Sequence, residues 1–263
     1  MSSKKSYFFL HYGPGGNCDA ERSYWGSDKG IYFWDQPAAT TFEDLVQSCV
    51  SKFETYAQQN QCQGIIGHSF GCDLAVEMAK RLKHLPAKVI LIAPIPNLYI
   101  AFENLAKRVL KSGDVDATIR IAIESKLGLL KSVDISSLWD LVFSTYQYPN
   151  IGRIFWAKDS AFAEYANRSK TFKAMDLGVW QNILTDYVKN YSPVLLKENP
   201  EPQRDRTWAY MGRHDPYTDG NSSESDQWLK IARPEHILVD EDSGHWPHLE
   251  SANTFLKFIS GVD

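Results

Sequence analysis

Six short apolar runs stand out along the chain: Tyr7–His11, Gly30–Trp34, Gln63–Gly67, Lys88–Ala93, Thr207–Met211 and His236–Val239. Most stop at a glycine, a proline or an acidic residue, and Lys88–Ala93 is apolar on both faces, as a strand covered by helices on each side must be. Between the early runs the period changes. Phe42, Leu45, Val46, Cys49, Val50 and Phe53 recur at helical spacing behind Thr40-x-x-Glu43, which has the form of a capping box. Leu74, Ala75, Met78 and Leu82 do the same over 72–82. Strand alternating with helix predicts an α/β fold built on a parallel sheet.

The alternation stops between 97 and 205. Ile100–Lys111, Asp114–Lys126 and Asp176–Tyr191 carry helix-like periodicity, with Asp114 and Asp176 as N-cap candidates. This stretch predicts a helical insertion, returned to the sheet by a bend at Pro200-Glu201-Pro202. The expected division is a core of residues 1–96 and 206–263 with a lid of 97–205 over the carboxyl ends of the strands.

Composition narrows the classes. With 263 residues, 43% of them hydrophobic, the chain can bury a full core. A formal charge of −4 with scattered Lys and Arg offers no footprint for nucleic acid. Tyr7–Leu10 is too short for a signal-peptide core, and the apolar stretch 89–102 is interrupted by Pro94, Pro96 and Asn97. The expectation is a soluble cytoplasmic protein acting on a small molecule, with no nucleic-acid or membrane partner and an oligomeric state the sequence leaves open. Cys18, Cys49, Cys62 and Cys72 form no C-x-x-C pair, so reduced thiols are expected rather than a zinc site.

The chemistry concentrates at Gly67-His68-Ser69-Phe70-Gly71. A serine between two near glycines, after a strand and before a helix, is how a nucleophile is held on a tight turn. A serine hydroxyl needs a base and the base needs an orienting acid. Asp215 follows one strand run in Gly212-Arg213-His214-Asp215-Pro216, and His245 follows the last in Ser243-Gly244-His245-Trp246. All three lie just beyond strand ends, where open α/β sheets place their sites. His214 and Asp219 are rivals to Asp215, and His248 reads as a structural neighbour of His245. His11 reads as an organiser of the Gly13–Gly16 loop, His68 as either pocket lining or packing, and Asp73 as a carboxylate on a helix dipole.

The order Ser69, Asp215, His245 is that of the α/β hydrolases, and the chain resembles that family with a helical cap, over residues 7–259. His11-Tyr12-Gly13-Pro14-Gly15-Gly16 resembles the H-G-G-P-G oxyanion loop of the proline iminopeptidase-like branch, Trp34-Asp35-Gln36 its D-Q-R-G turn, and Gly244–Glu250 its histidine segment. Two departures are Tyr12 in place of a glycine and G-H-S-F-G in place of G-G-S-W-G. The resemblance implies a mostly parallel sheet of about six strands ordered 2-1-3-4-5-6, the two usual opening strands being absent. It further implies acyl transfer to water through an acyl-Ser69 intermediate, with no cofactor and no metal. His245 would be the base and Asp215 its partner, Phe70 and Gly13 would supply the oxyanion N–H groups, and Tyr12, His68 and Trp246 would line the pocket. Ester, thioester and amide substrates are all compatible. An aminopeptidase is the alternative, needing a carboxylate such as Glu103, Glu124 or Glu164 for the substrate's ammonium; a ligand-binding relative without turnover is another.

Overall fold

The structure is a computed structural model that describes residues 6–26, 30–82, 88–95, 97–130, 135–191, 204–218 and 230–261. Asp219 and the bend at Pro200–Pro202 lie outside these residues. Strands β1 (Ser6–Leu10), β2 (Ile31–Trp34), β3 (Cys62–His68), β4 (Lys88–Ile92), β5 (Thr207–Gly212) and β6 (Ile237–Asp240) form one sheet in the order β2-β1-β3-β4-β5-β6. Every pairing is parallel, and the order is the one expected. Chain progression reverses between β1 and β3, so a crevice opens at their carboxyl ends.

Period-two alternation splits the strands between two cores. Phe8, Leu10, Ile65 and Leu91 point to the side covered by α2 (Phe42–Gln59) and α3 (Gly71–Arg81). Tyr7, Phe9, Ile66, Ile90 and Ile92 point to the side that holds Trp25, Phe255 and Ile259, from α1 (Asp19–Trp25) and the C-terminal helix Ala252–Gly261. Adjacent residues thus serve opposite layers, which is why these runs are apolar throughout.

Between β4 and β5 the described residues form α4 (Leu98–Leu110), α5 (Ala117–Leu129), α6 (Ile135–Tyr146), α7 (Ile151–Ile154), α8 (Asp159–Arg168) and α9 (Leu177–Asn190). Hydrogen bonds fasten this insertion to the loops of the sheet: Asp176 N–H to the Gly15 carbonyl at 2.9 Å, and Phe42 N–H to Asp186 Oδ2 at 2.8 Å.

Two caps differ from the sequence reading, and one agrees with it. Thr41, not Thr40, caps α2 by accepting from Asp44 N–H at 3.1 Å, while Glu43 leaves the helix end to meet Arg81 and Tyr191. Asp116, not Asp114, caps α5 by accepting from Thr118 N–H at 2.8 Å. Asp114 instead accepts from Tyr148 at 2.6 Å and Asn150 at 2.8 Å, tertiary partners that no local pattern discloses. Asp176 caps α9 as expected, accepting from Gly178 and Val179.

Candidate active site

β3 runs straight into Ser69, whose φ of 54° lies in the left-handed region that a serine seldom occupies. The two glycines make that turn possible. A Cβ on Gly67 would stand 2.2 Å from the Gly71 carbonyl oxygen, and one on Gly71 would stand 2.5 Å from that of Leu10. Only hydrogen fits at either position, so the strand and α3 can close to a distance that thrusts Ser69 above the sheet edge.

The loops after β5 and β6 bring two side chains to it. Ser69 Oγ lies 3.0 Å from His245 Nε2, and His245 Nδ1 lies 2.7 Å from Asp215 Oδ2. The second oxygen of Asp215 accepts from Tyr217 N–H at 2.9 Å, which leaves the carboxylate fully engaged. All three side chains are buried, at 7% exposure or less. With an N–H donated to the carboxylate, His245 presents a lone pair to the serine hydroxyl. The geometry can therefore move a proton from Ser69 to His245.

The histidine loop is held from behind. His245 N–H donates to the Phe155 carbonyl at 2.8 Å, across to the insertion. Glu250 accepts from Gly244 N–H at 2.6 Å, Ala157 N–H at 2.9 Å and Lys158 N–H at 3.2 Å. One carboxylate thus ties the histidine loop to the α7–α8 connection. Glu250, Phe155 and Tyr217 escape a motif-based reading because their roles depend on backbone partners distant in sequence. The Tyr217 ring sits edge-on to His245, 4.8 Å between centroids; its place two residues after Asp215 was a signal available in the sequence.

A cavity of about 290 Å3 opens above Ser69. Gly13, Phe70, Tyr12 and Trp246 line it together with Phe102, Trp180 and other apolar side chains of the insertion. His68 does not. It is fully buried beneath the loop, its Nε2–H donating to the His245 carbonyl at 3.0 Å, so of the two roles open to it packing holds and pocket lining is corrected. The buried ring of His11, just before the glycine loop, is fastened to the turn after β2: Nε2 accepts from Gln36 N–H at 3.1 Å. Burial pushes its pKa down to about 4, against the opposing pull of Asp35, which keeps the ring neutral. Asp35 itself accepts from Cys18 N–H at 2.8 Å and from Arg22 at 3.0 Å.

Asp73 departs from its expected role as a dipole-stabilised anion. It is 4% exposed, and burial raises its pKa well above the carboxylate range, so desolvation outweighs the helix terminus. His248 is buried in contact with Glu21 of α1, a helix the hydrophobic pattern does not announce.

The family model described as "Alpha/beta hydrolase family" matches residues 13–257. Among solved structures, the chain is similar to a proline iminopeptidase-related protein from Thermus thermophilus, at 17% identity and a TM-score of 0.60 over 99% of this chain and 89% of that one. It is also similar to an alpha/beta fold family hydrolase from Bacillus anthracis str. Sterne, at 14% identity and 0.58 over 99% and 93%. An esterase from Exiguobacterium antarcticum matches at 16% and 0.51 over 100% and 93%. At these identities the likeness is one of fold. No curated protein sequence matches the chain as a relative.

Proposed function

Because the chain belongs to the alpha/beta hydrolase family, we propose that it is a serine hydrolase cleaving a small carboxylic ester or thioester. The observation that carries this reading is the continuous relay from Asp215 through His245 to Ser69, at 2.7 and 3.0 Å, on the floor of an apolar cavity. Ser69 Oγ attacks the acyl carbonyl while His245 Nε2 takes its proton. Asp215 holds the imidazole in the required tautomer and balances its charge. The N–H groups of Phe70 and Gly13, both on the cavity wall, receive the developing oxyanion. His245 then returns the proton to the leaving group, and water releases the acyl group by the same steps in reverse.

The cavity also bears on the substrate. At about 290 Å3 it lies at the small end of ligand sites, which run from about 300 to 1,000 Å3. Its lining is aromatic and aliphatic; among the described residues no Asp or Glu contributes to it. The side chains of Glu103, Glu124 and Glu164 are 39%, 55% and 52% exposed and belong to the outer surface of the insertion. This favours an uncharged acyl group over the ammonium of an aminopeptidase substrate. Residues 97–205 act as a lid on this view, and Tyr12 and Trp246 shape the acyl site. Four unpaired cysteines, three of them buried, accord with the cytoplasm, and no helix among the described residues is long and apolar enough to cross a membrane.

The test is turnover of p-nitrophenyl esters of graded chain length beside aminoacyl anilides, for the native protein and Ser69→Ala. Ester hydrolysis lost in the variant is the expected result. Preference for a free amino group would transfer the reading to an aminopeptidase, and stoichiometric binding without turnover would make the chain a ligand-binding relative.

A further inference from the structure

Behind the histidine loop lies a polar cluster for which the proposed reaction has no use. Glu21 of α1, His68 at the end of β3 and His248 in the turn Pro247–Glu250 are each fully buried. Aromatic side chains surround them: the Trp25 ring lies 5.5 Å and the Phe9 ring 6.2 Å from that of His248.

The protonation of His68 follows from its partner. A carbonyl can only accept, so the 3.0 Å contact with the His245 carbonyl puts the proton on Nε2 and leaves a lone pair on Nδ1. That lone pair faces Glu21 Oε1 at 3.8 Å, and His248 Nε2 stands 3.3 Å from the same oxygen. The His248 contact is a long hydrogen bond, well beyond the roughly 2.7–2.9 Å of a charge-assisted one, and the His68 spacing is beyond hydrogen-bond reach.

Both spacings suit two donors on one ion. Donors held about 2.0–2.2 Å from zinc stand roughly 3.3–3.8 Å apart as the angle between them opens from near-tetrahedral to about 130°. Three polar atoms of the cluster, Glu21 Oε2, His68 Nδ1 and His248 Nδ1, are buried with no hydrogen-bond partner among the described residues. The donor atoms of the three residues lie within 4.8 Å of one another. Charge completes the case. The ion-pair contacts of Glu21 among the described residues are these two imidazoles, and burying a carboxylate without a cation costs several kcal/mol.

We propose that Glu21, His68 and His248 form a buried site for a divalent transition-metal ion, zinc by its donor set, that fastens α1 to the histidine loop. Glu21, His68 Nδ1 and His248 Nε2 supply three protein ligands, and a water would complete the four that zinc takes. The ion lies on the far side of His68 from His245 and touches neither Ser69 nor the cavity, so its role is positional. Through His68 it holds the carbonyl of His245 in place.

The test uses the full chain, untagged and expressed with zinc in the medium, and its readouts do not depend on turnover. About one equivalent of metal per chain by elemental analysis is expected, falling below about a tenth in Glu21→Gln and His248→Gln. Stripping with a chelator should lower Tm by about 5 °C or more, with recovery on adding zinc chloride alone. If either variant fails to fold, cobalt loaded into the stripped native protein decides: a visible absorption band of bound Co2+ supports the site. Native protein that is metal-free as purified, with a Tm unmoved by zinc or cobalt and no such band, overturns it. So does full metal retention in the folded variants.

Discussion

The loops beyond β3, β5 and β6 and the helical insertion face the same cavity, but they are built in opposite ways. In the loops the side chains that meet at Ser69 are buried, and their polar atoms are fixed: Asp215 by Tyr217 N–H, His245 by Asp215 and by the Phe155 carbonyl. The insertion meets the cavity with apolar surface, part of which stays in water. Leu177 and Phe143 both line the cavity, yet are 67% and 48% exposed. All the large hydrophobic residues that are exposed among the described ones lie between Ile121 and Tyr191. Rigid polar geometry from the sheet can set the chemistry, while a wet apolar rim can change what is admitted without disturbing it.

The contrast breaks first at the relay. Asp215→Asn and Ser69→Ala should each lower kcat on a good ester by about 10⁴-fold, and the double variant should be little worse than the worse single one, because the groups act as a unit. Thermal unfolding should move by no more than a few degrees, since neither change opens a cavity. A Ser69→Ala protein that is folded and retains native turnover would remove the nucleophile and the mechanism with it.

The same contrast explains what could be read in advance. The sheet was legible because each strand is a short apolar run closed by turn residues, and Gly67, Ser69 and Gly71 announce their turn by spacing alone. The insertion was legible only in part: its helical character and the Asp176 cap of α9 were, the start of α5 was not. The helix α5 was expected two to three residues early because Asp114 looks like a cap, whereas its partners Tyr148 and Asn150 lie more than thirty residues away in sequence. Glu21, His68 and His248 come from three separate segments, and no local pattern joins them. Burial, too, is a property of the fold: Asp73 reads as a carboxylate on the helix dipole until α3 is seen to turn it inward.

Fixed polar geometry should carry a pH signature. His11 accepts from Gln36 N–H only while neutral, and burial lowers its pKa from 6.5 to about 4. In the folded state the ring resists protonation, so between these values the unfolded chain binds the extra proton. Stability is therefore complete above about pH 6.5 and declines as pH falls toward 4, by on the order of 3 kcal/mol in total. Urea titrations at pH 7 and pH 4.5 should show this loss for the native protein and a smaller one for His11→Gln. Equal losses in both would mean that protonation of His11 is not what the fall in pH disturbs.

On the other side of the comparison, the rim should alter selectivity and little else. Leu177→Ser and Phe143→Ser remove apolar surface at the cavity mouth, so KM for longer acyl esters should rise by about 10-fold while short esters are spared. Because both side chains are about half exposed or more, stability should change by only about 0.5 kcal/mol. A uniform loss of kcat across chain lengths would instead mean that the rim supports the relay, and the division of labour would fail.

The smallest effect tests whether every polar group in the sheet's layer is there for order. Asp73 sits in the first turn of α3, four residues beyond Ser69, yet Oδ2 has no hydrogen-bond partner among the described residues. Burial raises its pKa well above 3.8, so its contribution to stability is favourable only below the unfolded value and is lost as pH rises. At neutral pH the fold must bury the charge or hold a proton against the solvent, and either costs free energy. Asp73→Asn removes the ionisation and keeps the shape. It should therefore stabilise the protein by about 1 kcal/mol at pH 7 and by little at pH 4, with turnover unchanged. Destabilisation by Asn at pH 7 would show that the carboxylate is ionised and balanced in place, and that the helix terminus does prevail over burial at this position.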